Sequence, residues 1–296
     1  MAYQTNRPSN FDTVAIIGCG TIGRRIALLW ILHDKAVRVF DVNHEACLDA
    51  QQWIQNQASS LQYRETRNAS LRTVTVTETI EQAAYGAWMI VECTPEVAEI
   101  KRRVLGQIDQ VSDTSTIIAT NSSSFKSSDL ISYVSETGQG RVLNCHYFFP
   151  PEIPLVELMP CDRTAAHIFD LLLPELRAAG LQPIIAKAQS TGLIANRVWA
   201  AIKREVMMVL AEGVAKPDEI DMLFRIGFQS RIAPCELMDQ VGLHTVCDIE
   251  DHYIKERGYL PEYAVNFIRQ SYVTKGNLGR MSGKGLLSYT EPEVGK

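Results

Sequence analysis

The chain lacks most of the features that would place it in a specialised class. No stretch approaches the roughly 18 uninterrupted apolar residues of a membrane span. There is no excess of basic charge: 29 Lys and Arg stand against 34 Asp and Glu, a formal net charge of −5. That balance argues against a nucleic-acid binder or a membrane-surface protein. No C-x-x-C pair occurs. The seven cysteines (19, 47, 93, 145, 161, 235 and 247) are odd in number and irregularly spaced, which suggests neither a disulfide framework nor a zinc site. No metal site is expected. The segment MAYQTNRPSNFD has no apolar core and is not Arg-rich, so it reads as neither signal nor transit peptide. There is no internal repeat and no low-complexity tract. What remains is an ordinary composition, 46% hydrophobic and 21% charged, that of a soluble globular protein in the cytoplasm with reduced, mostly buried thiols.

At about 100–200 residues per domain, 296 residues leave room for two domains. The first part alternates β-rich runs with helical ones. Strands are expected at Thr13–Ile17, Val37–Phe40, Thr73–Thr77, Trp88–Glu92, Ser115–Thr120, Val142–Tyr147, Leu155–Leu158 and Pro183–Ile185. Helices are expected at Thr21–His33, Glu45–Ser59, Glu96–Asp109 and Ala165–Ala179. This alternation implies crossover connections and a doubly wound, mostly parallel sheet covered on both faces, an α/β Rossmann domain. After Lys187 the pattern changes to helices alone. The polar stretch Ala188–Thr191 marks the boundary, giving a nucleotide-binding domain over 1–190 and an all-α C-terminal domain over 191–296. The longest helix is expected at Leu193–Glu212. Its stripe of Ile194, Val198, Ile202, Val206 and Leu210 suggests burial on more than one side, interrupted by Lys203, Arg204 and Glu205. Further helices are expected at Glu219–Ile226, Cys235–Val241, Thr245–Arg257 and Glu262–Thr274.

Gly18-Cys19-Gly20-Thr21-Ile22-Gly23 is a G-x-G-x-x-G that follows a strand and opens a helix. Asp41 lies 23 residues beyond Gly18, at the end of the next strand. Gly18 permits the tight turn, Gly20 lets a pyrophosphate approach the backbone, and Gly23 lets helix and strand pack closely. Asp41 suits the ribose hydroxyls of NAD and would repel the 2′-phosphate of NADP.

Further along, His146 ends one strand and Glu157 lies in the next apolar run. A carboxylate near an imidazole can hold one tautomer and balance its cation, which suits proton removal from an alcohol. Ser122, Ser123 and Ser124 follow the Ser115–Thr120 strand at the edge where open α/β sheets bind ligands. Asn196 lies early in the long helix.

The segments GCGTIG with Asp41, ECTPE followed by Lys101, ATNSSSF, NCHYFFPPEIPLVELMP, STGLIANR, PCELMDQVGL and LGRMSGKGLLSY occur in one order. Together they make the chain resemble the L-3-hydroxyacyl-CoA dehydrogenase family over almost its whole length. The ECTPE and PPEIPLVELMP segments are closer to its L-gulonate 3-dehydrogenase and lambda-crystallin branch. The resemblance implies NAD as cofactor, a homodimer formed by the helical domain, and interconversion of a 3-hydroxyacyl compound, as CoA thioester or free acid, with its 3-oxo form. It makes His146 the general acid/base and Glu157 its partner. Ser123 and Asn196 become the groups that hold the substrate oxygen and the histidine. Gly18, Gly20, Thr21, Ile22, Gly23, Asp41, Glu96 and Lys101 become cofactor residues, with Glu92 in the same segment.

Two departures qualify this. Phe149 stands where the family usually has Asn. The stretch from Asp41 to ECTPE is short and leaves only Arg64, Arg67 and Arg72 as candidates for a CoA phosphate. A solvated face is the blander reading of those arginines. The alternatives are a non-catalytic NAD-binding protein of the crystallin kind, or a family member repurposed for an unusual substrate.

Overall fold

The computed structural model describes residues 11–59 and 72–289. The chain divides into two compact units, the first ending at Ile194 and the second starting at Ala195.

In the first unit the elements run β1 (Thr13–Ile17), α1 (Thr21–Leu32), β2 (Ala36–Phe40), α2 (His44–Ala58), β3 (Val74–Val76), α3 (Ile80–Ala84), β4 (Met89–Glu92), α4 (Ala98–Val111), β5 (Ile117–Thr120), β6 (Val142–Tyr147), β7 (Leu155–Pro160), α5 (His167–Ala178) and β8 (Gln182–Ile185). The eight strands form one sheet in the order β3-β2-β1-β4-β5-β6-β7-β8. Every neighbouring pair is parallel except β6 and β7. The strand order reverses beside β1, where doubly wound sheets bind ligands at the carboxyl ends of their strands.

β1 shows why both faces are covered. Its five residues are all buried. Val14 and Ile16 join a cluster with Ile26 and Trp30 of α1, while Ala15 and Ile17 join one with Ile80, Leu105 and Ile108 on the other face. Successive strand side chains alternate faces, so an unbroken apolar run is what a two-sided core demands. The short α3 was not foreseen. Its five residues are too few to show a helical period, and it is announced only by Thr79, whose hydroxyl accepts the Gln82 N–H at 3.2 Å.

The second unit is helical: α6 (Ala195–Ala211), α7 (Pro217–Gly227), α8 (Pro234–Val241), α9 (Leu243–Arg257) and α10 (Tyr263–Ser271). α7 starts as expected, with Pro217 at its first position, Asp218 and Glu219 in the first turn, and the Glu219 carboxylate accepting the Lys216 N–H at 2.8 Å. The stripe expected on the long helix is corrected. Val206, Met207 and Leu210 are buried, but Val198 is 55% exposed and Ile194 lies outside the helix. Lys203 and Arg204 are buried instead. The reason is Glu250 on α9, 1% exposed, whose carboxylate accepts from Arg204 Nε. Among the described residues no helix is long and apolar enough to cross a membrane.

Candidate active site

The wall nearest α1 is made of backbone. Gly18 adopts φ +106°, and a Cβ there would lie 2.5 Å from the Cys93 carbonyl oxygen. At Gly23 a Cβ would lie 1.9 Å from the Gly18 oxygen. Both positions therefore need glycine for the fold itself. Gly20 is different: a Cβ would meet nothing within 4 Å. The space above it is kept for something other than protein. Gly20 also caps α1 with no side-chain hydrogen bond, and no acidic residue occupies the first turn. Such a helix start has amides and a positive dipole end suited to an anion.

Asp41 closes the same wall. Its Oδ2 accepts the Cys19 N–H at 2.8 Å and its Oδ1 the Asn43 N–H at 2.9 Å. The carboxylate is thus fixed, and each oxygen keeps a lone pair for a hydroxyl. Gly18, Gly20, Thr21, Ile22 and Asp41 line one cavity of about 810 Å³, within the usual range for a cofactor site of roughly 300–1,000 Å³. The glycine cradle, the uncapped helix start and the fixed acid fit a dinucleotide.

A smaller pocket of about 320 Å³ is lined by His146, Ser123, Asn121, Glu96, Lys101 and Phe148, among others. Ile22, Cys93, Thr94 and Phe149 line both spaces. His146 and Glu157 are directly opposite in the antiparallel β6–β7 pair. His146 Nδ1 lies 3.4 Å from Glu157 Oε2, inside ion-pair reach and at the long end of a hydrogen bond. The Glu157 side chain is 1% exposed against 12% for His146. Its other oxygen accepts the Ile194 N–H at 3.1 Å. A carboxylate acceptor makes Nδ1 the protonated ring nitrogen and leaves Nε2 for chemistry. The His146 ring also packs on Phe148, with centroids 4.9 Å apart.

Beside this pair lies a buried charge network. Lys101 Nζ reaches Glu92 Oε1 at 3.0 Å, Glu96 Oε2 at 3.2 Å and the Thr94 carbonyl at 3.0 Å. Those three partners account for its three N–H groups. Burial alone would lower the lysine, but Glu92 and Glu96 outweigh it and hold Lys101 above its ordinary value. Glu96 is likewise opposed by burial, yet Lys101 and the hydroxyls of Ser122 and Ser124 hold it below the usual carboxylate range. Thr120 Oγ1 donates to Glu92 Oε2 at 2.6 Å. Burial and the Glu92 charge push the Cys93 thiol up, so it stays protonated near neutrality.

The three serines divide their work. Ser122 and Ser124 both donate to Glu96 Oε1 at 2.5 Å, whereas Ser123 lines the His146 pocket. Asn144, fully buried on β6, holds this loop: its Oδ1 accepts the Ser127 N–H at 2.7 Å and its Nδ2 donates to the Phe125 carbonyl at 2.9 Å. Asn121 Oδ1 accepts the Tyr147 N–H at 2.9 Å.

The structure thus places His146 and Ser123 on one pocket of the first unit, with Glu157 buried beside His146 and held by the Ile194 N–H. Glu96 and Lys101 line that smaller pocket, not the larger cavity. Asn196 stands in the first turn of α6, in the second unit. Sequence reasoning missed Thr120, Asn121 and Asn144. The last two were visible only as polar residues beside buried strand positions. Arg72 pairs with Asp12 at 2.6 Å and Asp34 at 3.2 Å, so it serves a surface ion cluster. Arg64 and Arg67 lie outside the described residues.

Comparison with known proteins decides the family. Residues 13–189 match the family model described as 3-hydroxyacyl-CoA dehydrogenase, NAD binding domain, and residues 192–289 match its C-terminal domain. The chain belongs to the 3-hydroxyacyl-CoA dehydrogenase family. Its cofactor is NAD, in keeping with the glycine cradle and Asp41. This family member is 31% identical over 292 residues to the 3-hydroxyadipyl-CoA dehydrogenase of Escherichia coli, covering 95% of the chain and 59% of that protein. It is 28% identical to the human lambda-crystallin homolog, covering 85% of the chain and 83% of the homolog. The (S)-3-hydroxybutyryl-CoA dehydrogenase of Ralstonia eutropha is a structural neighbour at TM-score 0.84 and 26% identity, covering 95% of this chain and all of that one. The chain spans only 59% of the E. coli protein, and 32% of the 3-hydroxyacyl-CoA dehydrogenase-like protein LAM1 of Cochliobolus heterostrophus, to which it is 40% identical over 153 residues.

Proposed function

We propose that the protein is an NAD-dependent oxidoreductase that interconverts a 3-hydroxyacyl compound and its 3-oxo form. One observation carries this reading. His146 and Glu157 face each other across β6 and β7 at 3.4 Å, and His146 lines a pocket that shares four wall residues with the dinucleotide cavity. When bound, NAD supplies a hydride acceptor, and its reduced form a donor. Gly18, Gly20, Thr21, Ile22 and Asp41 hold it, with Gly23 packing the helix that follows the turn and Glu96 and Lys101 lining the substrate pocket beside it.

In the oxidising direction His146 Nε2 takes the substrate hydroxyl proton, and the buried Glu157 carboxylate balances the imidazolium that forms. In the reducing direction the protonated His146 returns that proton to the carbonyl oxygen. Ser123 holds the same oxygen, and we assign Asn196 to that task as well. The preorganised Glu157 charge supplies its stabilisation without reorganisation. We assign residues 1–190 to cofactor binding and proton transfer and 191–296 to substrate binding and dimerisation. Met222, Leu223, Ile226 and Phe228 of the helical unit are each more than half exposed. Apolar patches of this kind mark interfaces, and a homodimer formed through them is the proposed assembly. The seven thiols, none in a disulfide, favour a cytoplasmic location.

The names of the E. coli and R. eutropha proteins carry CoA thioesters, which favours a thioester over a free acid. The test is NADH oxidation with acetoacetyl-CoA and with free 3-oxo acids. Turnover of at least one is expected. Tight NADH binding with turnover of none would favour the crystallin-like alternative.

A further inference from the structure

Phe149 is an apolar residue with an unusual position. Its side chain is 52% exposed, yet it lines both the dinucleotide cavity and the His146 pocket. It is also held in place. The Phe149 carbonyl accepts the Ile153 N–H at 2.8 Å. The Arg25 guanidinium stands 5.6 Å from the ring centroid, and Arg25 itself is anchored on Glu152 at 2.7 Å. A cation over an aromatic face restricts the ring without covering its other face. Next to it, Phe148 packs on the reacting imidazole.

The polar groups of the pocket are already assigned. His146 and Ser123 serve the reacting oxygen. Asn121 is engaged by the Tyr147 backbone, and Glu96 and Lys101 neutralise each other. The remaining wall is Ile22, Cys93, Thr94, Tyr147, Phe148 and Phe149, and the Thr94 hydroxyl is spent on Glu92. A substituent beyond the reacting carbon therefore meets two aromatic rings.

We propose that Phe149 is a specificity-determining residue and that the substrate carries an aryl or similarly broad, flat apolar group next to the reacting carbonyl. This inference rests on the dehydrogenase reading above. Offset or edge contacts between aromatic rings strengthen binding beyond simple burial, so an aryl ketone gains where a methyl ketone does not.

The experiment compares acetoacetyl-CoA with benzoylacetyl-CoA, which share a head group and differ only in methyl against phenyl. NADH oxidation is measured for the wild type, Phe149→Asn and Phe149→Leu, with NADH affinity measured by fluorescence. The wild type is expected to prefer benzoylacetyl-CoA in kcat/KM. Phe149→Asn should lower that preference about tenfold, by analogy with measured aromatic pair strengths, with NADH affinity unchanged. Phe149→Leu, which keeps apolar bulk and loses the ring, should lower it less and serves if the Asn variant does not fold. A wild type that prefers acetoacetyl-CoA overturns the proposal while leaving the dehydrogenase reading intact. An equal fall for both substrates with weakened NADH binding also overturns it, since Phe149 would then be a cofactor wall. Turnover of neither substrate, with NADH bound, overturns the proposal, and the dehydrogenase reading falls with it where no free 3-oxo acid is turned over either.

Discussion

The two spaces of the first unit are built by opposite means. The dinucleotide cavity is a backbone construction, in which Gly18, Gly20 and Gly23 matter for what they lack. The His146 pocket is a side-chain construction, in which Glu157, Ser123, Glu96 and Lys101 matter for what they carry. Substitutions should therefore fail differently in the two places. Changes in the pocket should slow chemistry and spare cofactor affinity. Changes in the glycine turn should do the reverse.

The largest effect sharpens this contrast at once. His146→Gln removes the proton carrier from a side chain with limited structural duty. A loss of about 10²–10⁴-fold in kcat is expected, the usual scale of general acid–base catalysis, with NADH affinity unchanged in a fluorescence titration. Weakened NADH binding of the same size would show that the two spaces are not separable.

Next comes the charge network that holds Thr94, a residue of the wall they share. Lys101→Met strips from Glu92, which is fully buried, the only cation paired with it among the described residues. Removing one partner of a buried pair costs about 3–5 kcal/mol, read as a lower midpoint in chemical denaturation. A buried pair can also be less well made. In the helical unit Arg204 Nη2 and Glu250 Oε2 have no hydrogen-bond partner among the described residues, whereas Glu92 and Lys101 are served on every side. The first network is a constraint that positions Glu96 and the serine loop.

The glycine turn breaks the comparison the other way. Gly20→Ala puts a methyl into space that no protein atom uses, at a φ of −66° that alanine accepts. Stability should stay within about 0.5 kcal/mol, the ordinary range for a surface change, while NADH affinity falls about tenfold as the pyrophosphate loses its approach. Gly23→Ala, by contrast, forces a Cβ against the Gly18 carbonyl and should lower the thermal midpoint before any ligand is added. Equal behaviour of the two variants would dissolve the distinction between a ligand glycine and a packing glycine.

These differences also explain what was legible in the sequence. The glycine turn and Asp41 could be read because a backbone cradle imposes spacing that survives in the letters. Strand and helix positions followed from alternation, to within a few residues at most ends. His146 and Glu157 were identifiable as residues, but their opposition depends on the register that the 149–153 turn imposes on β6 and β7. The division of labour among Ser122, Ser123 and Ser124 depends on loop geometry, set by Asn144 from 17 to 22 residues away. The burial of Lys203 and Arg204 was invisible because a hydrophobic stripe records apolar residues, and the partner Glu250 is 46 residues distant from Arg204.

The smallest effect tests whether the network behind the shared wall acts through charge. Glu96 is held below the ordinary carboxylate value, so its contribution to stability is present above the unfolded pKa of about 4.3 and is lost as pH falls through its lower folded value. Lys101 is held above its ordinary value, so its contribution is present below about 10.4 and is lost as pH rises through its higher folded value. The thermal midpoint of the wild type should therefore be flat between these limits as far as this pair is concerned, and fall on both sides. Glu96→Gln removes the acid-side dependence that this carboxylate contributes and leaves Lys101 paired to Glu92. The variant's midpoint should fall less steeply below about pH 4.3, with its alkaline limb retained. An unchanged acid limb would mean that the serine hydroxyls and Lys101 only decorate Glu96, and that the wall between the two spaces is held by packing and not by charge.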